Sequence, residues 1–266
     1  MADADLGLRR GRGGRVGRRL AGPVACVLVL IAWQIAGQAQ VSLYLPPVST
    51  AAEHAWAMLT GRELGQDILP SVGRALAGLV IGCVGGLVIG VLVGYSRLHH
   101  WVRPALEFLR SLPIVAIAPV ALITFAPNSA TRIGLIAAAT FWPVFINAED
   151  GSRGIDPRWI ETAMAAGHSR ASILLRVVVP GTLPMALAGA RISTSISLLA
   201  MVVSEFFLAT SGLGYQLQYD ARNYDSASMF GAILVLGVIG ILMTALFTVF
   251  ERRVLRWYVD QKGLMS

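Results

Sequence analysis

The chain is poor in charge. Only 14% of its 266 residues are Asp, Glu, Lys or Arg, where an ordinary soluble domain has about a quarter. A typical soluble enzyme is thereby excluded. Lysine is nearly absent: of 22 Lys and Arg residues only Lys262 is a lysine, and it follows Gln261. The Gly-Lys-Ser/Thr core of a phosphate-cradling loop does not occur, so the chain has no ATPase of its own. Cysteine is limited to Cys26 and Cys83, both in apolar stretches, which excludes a disulfide framework and a thiolate metal cluster. None of His54, His99, His100 and His168 opens a His-Glu-x-x-His pair, excluding a zincin-type membrane protease. Gly167-His168-Ser169-Arg170-Ala171 approximates a nucleophile elbow but lacks the final glycine and follows a helical pattern, whereas the elbow needs a strand before it.

What the chain has is apolar sequence in long blocks: 55% of its residues are hydrophobic and the mean hydropathy is +0.66. Such a core has to be covered by lipid. Blocks of about 20 residues, enough to cross roughly 30 Å of hydrocarbon, predict an all-α polytopic membrane protein with six transmembrane helices. They fall near residues 21–37, 72–95, 105–125 (with Arg110 near one end), 133–148, 183–208 and 226–250. The basic excess of seven collects between these blocks, which is a topology signal and not a nucleic-acid surface. Arg9, Arg10, Arg12, Arg15, Arg18, Arg19, then Arg97 and Arg103, then Arg153, Arg158, Arg170 and Arg176, then Arg252, Arg253, Arg256 and Lys262 occupy alternate segments. Both termini therefore read as cytoplasmic, in a bacterial inner membrane. A cleaved signal peptide at the first span is disfavoured, because its removal would leave a terminus on the wrong side for its charges.

This gives a disordered basic tail over 1–20, a first span and outer loop over 21–64, and a transmembrane core over 65–260. In the second span Gly78, Gly82, Gly86, Gly90 and Gly94 recur every four residues. That spacing makes one ridge without side chains, to which another helix backbone can come close. Pro113, Pro119 and Pro143 predict kinks in the third and fourth spans.

The segment 149–182 is too regular for a plain connection. Asp156-Pro157 starts a helix, since the carboxylate accepts from free backbone N–H groups and proline at the first position loses no bond. Trp159, Ile160, Ala163, Met164 and Ala166 supply its apolar face, and Gly167 stops it in a left-handed turn. Ser169 caps a second helix, expected to run through Val177 and break before Pro180. A hairpin with this much apolar surface needs a cover, either a partner protein or the lipid surface with Arg158, Arg170 and Arg176 facing headgroups.

Glu161-Thr162-Ala163, three residues, Gly167, nine residues and Val177-Val178-Val179-Pro180 resemble the Glu-Ala-Ala signature of inner-membrane components of binding-protein-dependent ABC importers. Arg110-Ser111-Leu112-Pro113 with Pro119, Phe141-Trp142-Pro143 with Asn147, Leu183-Pro184 with Gly189-Ala190-Arg191, and Glu205 with Ser211-Gly212-Leu213-Gly214 resemble the nitrate/sulfonate/taurine branch. Where that resemblance implies a Phe-Gly-x-Gly turn, the chain has Phe125-Ala126-Pro127-Asn128. The resemblance implies a permease subunit without catalytic residues. It would pair with a second copy, two cytoplasmic ATPase subunits holding ATP and Mg, and an outer substrate-binding protein, to move a small polar or anionic solute inward. It also implies that Glu161, Ala163, Ala166, Gly167, Arg170 and Pro180 couple to the ATPase. A carboxylate at Glu161 suits either a basic group of a partner or the helix N-terminus.

Arg191 and Glu205 interrupt the fifth span, where a charge costs about 2.5–3.5 kcal/mol on insertion scales. Fourteen positions apart, they lie about 40° apart in direction and about 21 Å apart in height on a straight helix, so they cannot pair with each other. They are expected, with Ser204, to line the solute pathway; the alternative is an arginine reaching to headgroups and a carboxylate that caps or pairs. Ser211 to Tyr215 reads as a turn into a short outer segment. The rival function, a self-contained secondary transporter, usually shows internal repeats and more intramembrane ionisable groups than these.

Overall fold

The computed structural model describes residues 13–42, 44–96, 99–207 and 209–256. Among them, helices α1 (Gly13–Gln38) and α2 (Val48–Thr60) precede a π-helical turn at Leu64–Ile68 and α3 (Leu69–Tyr95). Then come α4 (His99–Arg110), α5 (Ile114–Thr124), α6 (Ser129–Arg153), α7 (Pro157–Ala165) and α8 (Arg170–Ile173). A second π-helical turn, Leu174–Val178, leads into α9 (Val179–Phe206), followed by α10 (Leu213–Arg222) and α11 (Ser226–Val254). No strand occurs among the described residues. Among the described residues, four continuous helical stretches are long and apolar enough to cross a membrane: Leu64–Tyr95, Ser129–Arg153, Arg170–Phe206 and Ser226–Val254. Val24–Gln38 of α1 is a shorter apolar stretch.

Helices α3, α6 and α9 form the centre, with α6 packed between the other two. The glycine ridge explains how closely. A Cβ at Gly78 would stand 2.5 Å from the Ile136 side chain, one at Gly86 2.7 Å from the Phe141 carbonyl, and one at Gly90 2.6 Å from the Phe145 carbonyl. With no side chains between them, α3 and α6 meet backbone to backbone, the arrangement that drives helix association in lipid. Thr140 Oγ1 donates to the Gly78 and Ile136 carbonyls, and Ser193 Oγ of α9 donates to the Thr140 carbonyl. These bonds satisfy hydroxyls that lipid cannot. Around this centre α11 packs on α2, α9 and α10 through Ala55, Met58, Leu213, Val235 and Ile239.

Three sequence expectations are corrected. The third span is not one helix: Ser111-Leu112-Pro113 separates α4 from α5. Proline has no N–H to continue the ladder and disfavours helical geometry in the residue before it, so the chain breaks at Pro113 where a kink was expected. Conversely, no break precedes Pro180, and the helix runs from Arg170 to Phe206 without interruption. In an α-helix the Pro180 ring would strike the carbonyl four residues back; the wider π turn at Leu174–Val178 moves that carbonyl aside. The same device, at Leu64–Ile68, precedes Pro70. Finally, α1 begins at Gly13, inside the expected tail; the first 12 residues of that tail lie outside the described residues, as do Lys262 and Arg97.

Candidate functional site

At one end of the central helices, α7 and α8 form the hairpin expected from the sequence. Asp156 caps α7 by accepting from the Arg158 N–H at 2.9 Å, and Ser169 caps α8 by accepting from the Ser172 N–H at 3.3 Å. Between them Gly167 has φ +81, and the His168 N–H closes back on the Ala163 carbonyl at 3.1 Å. This left-handed helix stop costs an L-residue about 1–2 kcal/mol, and glycine nothing. The hairpin is held from beneath: Ile160 and Ala163 of α7, Ile173 of α8 and Leu174, Val177 and Val178 of the π turn share one apolar cluster with Val91 of α3, Ala148 of α6 and Ala186 of α9.

Its outer side is bare. No residue of α7 is buried, and Trp159 (61% exposed), Met164 (52%) and Leu175 (67%) stand free. A groove of about 880 Å³ opens between the two helices, lined by Trp159, Thr162, Ala163, Ala166, Arg176 and Pro180, among others. Of the residues assigned to coupling by resemblance, Glu161, Ala166, Gly167 and Arg170 are exposed, while Ala163 and Pro180 are half-buried at the base. Five of the six lie on the hairpin, and Pro180 follows it at the start of α9.

The two charges of the fifth span pair separately, each with a residue of another helix. Arg191 pairs with Glu251 of α11 and is half exposed. Ser204 is buried and donates to the Met201 carbonyl at 2.8 Å. Glu205 is 0% exposed. Its oxygens accept from Ser71 Oγ at 2.8 and 2.9 Å, from Arg74 Nη1 at 2.6 Å and from the Gly214 N–H at 2.9 Å. Ser71, Arg74 and Glu251 were not legible as partners. Arg74 takes its partner from a helix far along the chain, and a serine carries no sequence signal of a partner at all.

A third polar group sits where α10 meets α11. Asp220, 4% exposed, accepts from Gln216 Nε2 at 2.9 Å, and its second oxygen has no partner. Burial and the nearby Asp225 push its carboxyl up to about 6. Asp225 caps α11 through the Ser228 N–H and hydroxyl, which hold it below the usual carboxylate range.

A bundle of long apolar helices, with a capped hairpin turning at Gly167 and projecting from one of them, defines a polytopic membrane protein. The chain belongs to the family of binding-protein-dependent transport system inner membrane components, whose family model matches residues 82–256. It is 32% identical over 241 residues to the putative aliphatic sulfonates transport permease protein SsuC of Bacillus subtilis, spanning 89% of this chain and 87% of that one. Against the bicarbonate transport system permease protein CmpB of Synechococcus elongatus the identity is 29%, over 88% and 89% of the two chains. Against the taurine transport system permease protein TauC of Escherichia coli it is 28%, over 87% of each. The fold matches a chain of the MetNI methionine ABC transporter in an inward-facing conformation, with a TM-score of 0.59 and 20% identity over 71% of this chain and 94% of that one. The protein is thus a permease subunit of an ABC importer, and the self-contained transporter is not favoured.

Proposed function

We propose that two copies of this chain form the pathway of an importer for a small oxyanion-bearing solute, and that the α7–Gly167–α8 hairpin docks a cytoplasmic ATPase subunit. The single observation that carries the docking reading is the hairpin's outer side: Trp159, Met164 and Leu175 stand more than half exposed, and Trp159 lines a groove of about 880 Å³. Buried at about 25 cal/mol per Å², such side chains favour a protein partner, and the neighbouring Glu161, Arg158 and Arg170 can set its orientation through rim charge pairs. The two ATPases would hold ATP and Mg, and a substrate-binding protein would deliver the solute at the opposite end. Both termini and the hairpin are read as cytoplasmic from the arginine distribution. The solute class rests on the relatives: sulfonates, taurine and bicarbonate share a small, delocalised oxyanion.

Gly167 supplies the test. A Cβ there would meet nothing within 4 Å, so a side chain disturbs only the turn and whatever docks on it. Gly167→Trp is expected to insert normally, yet to lose co-purification with the ATPase and at least 90% of uptake. Gly167→Asn, which tolerates the left-handed turn, is expected to retain more activity than Gly167→Val. Full uptake by the tryptophan variant would overturn the docking assignment.

A further inference from the structure

The hairpin and the Glu205 cluster lie at the two ends of a single helix. From Arg170 to Phe206 the chain is helical for 37 residues, about 55 Å at 1.5 Å per residue. Its first turn follows Gly167, and Glu205 is one residue from its last.

At that far end, three successive backbone N–H groups open α10, and each is taken by a different side chain. Gly212 N–H donates to Asp67 Oδ1 at 2.6 Å, Leu213 N–H to Ser71 Oγ at 2.9 Å, and Gly214 N–H to Glu205 Oε2 at 2.9 Å. Asp67 lies in the π turn before α3, Ser71 on α3 and Glu205 on α9. The N-terminus of α10, with its partial positive charge, is thus seated on two carboxylates from two membrane-crossing segments. Arg74 Nη1 closes the assembly on Glu205 Oε1. No side chain fits between: Gly212 has φ +120, a Cβ on it would lie 2.5 Å from Glu205 Oε2, and one on Gly214 would lie 2.7 Å from Glu205 Cβ.

We propose that Asp67, Ser71, Arg74 and Glu205 form a latch that fastens α10 to α9 and α3, so that movement imposed on the hairpin at Gly167 reaches α10 through the unbroken helix between them. Glu205 is then a positioning residue for transport: it touches no solute and carries α10 as the moving element at the outer end. The inference rests on the docking reading for its input. Rod and latch are independent of that reading. Charge-assisted bonds to buried carboxylates are the strong class, and a continuous helix is the stiffest connection the fold offers.

The test uses the full complex of chain, ATPase and binding protein in lipid vesicles, reading uptake, basal ATPase rate and its stimulation by solute-loaded binding protein. Glu205→Gln and Ser71→Ala are expected to assemble and keep the basal ATPase rate within about twofold, while stimulation is lost and uptake falls at least tenfold. Asp67→Asn, at a half-exposed position, keeps an acceptor without the charge. It is expected to lose about two- to threefold of uptake and serves if the buried variants fail to fold. Spin labels at the exposed Leu199 of α9 and Tyr219 of α10 should keep one sharp distance with and without ATP, and the distribution should broaden in Glu205→Gln. Unchanged stimulation and uptake in Glu205→Gln, or in Asp67→Asn should that variant alone fold, would overturn the latch. Failure of the wild-type chain to bind its ATPase would instead overturn the docking reading, leaving the label distances as the remaining test of the latch.

Discussion

Ala126 sits at φ +70, in the left-handed region, in the turn between α5 and α6. The family resemblance implies glycine in this turn, and the chain keeps the left-handed backbone without the residue that suits it. An L-residue there costs about 1–2 kcal/mol, partly offset by its lower entropy in the unfolded chain. Ala126→Gly is therefore expected to raise stability by about 0.5–1 kcal/mol, read as a higher thermal midpoint in detergent. Asp220 gives a pH dependence. Its carboxyl titrates near 6 in the fold, above its unfolded value of about 3.9, so the folded chain binds the proton more tightly. Its contribution must rise as pH falls from 7 through 6 and level off near 4. Asp225, held low, contributes stability above its ordinary value and loses it only as pH falls below that. Between pH 7 and 5 Asp220 governs the sign: the midpoint should climb on acidification, and Asp220→Asn should raise it at pH 7 and flatten the profile. At this scale Gly167 was legible, because a glycine stop followed by a serine cap is a local pattern. Arg74 and Ser71 were not, because their meaning depends on Glu205 more than a hundred residues away.

Among the elements, the long apolar helices α3, α6, α9 and α11 could be read from hydropathy, since each must satisfy its own backbone in lipid. Prolines were harder. The same residue type ended a helix at Pro113 and was absorbed at Pro180, and the difference lies in the turn before it. At Pro180 a π turn makes room, and nothing in Leu174 to Val178 announces that width. Helix α2 was missed because it is short and mixed in composition, its apolar side defined only by α11 against it. The α3 ridge was legible outright and gives a sharp test. Gly86→Leu forces a side chain into the Phe141 and Phe145 backbone and is expected to cost at least about 1–3 kcal/mol. Gly134→Ala, on the exposed side of α6 with nothing within 4 Å, should be neutral or stabilising by up to about 1 kcal/mol. Thermal unfolding of the two variants side by side separates close packing from a general intolerance of glycine replacement.

As a whole, the molecule is a device with no engine in its sequence: no phosphate-cradling loop, and charges in the fifth span that pair with Arg74 and Glu251. What it offers is mechanical, a bare hinged hairpin at one end of a rod and a fastened helix at the other. On the proposed function, transport requires an ATPase acting on the hairpin. The most direct measurement reconstitutes the purified chain in vesicles, alone and with its ATPase and binding protein, and follows uptake of a labelled small sulfonate or bicarbonate. Uptake should appear only when all three components and ATP with Mg are present, and should vanish with Gly167→Trp. Accumulation by the chain alone, driven by an ion gradient, would contradict it.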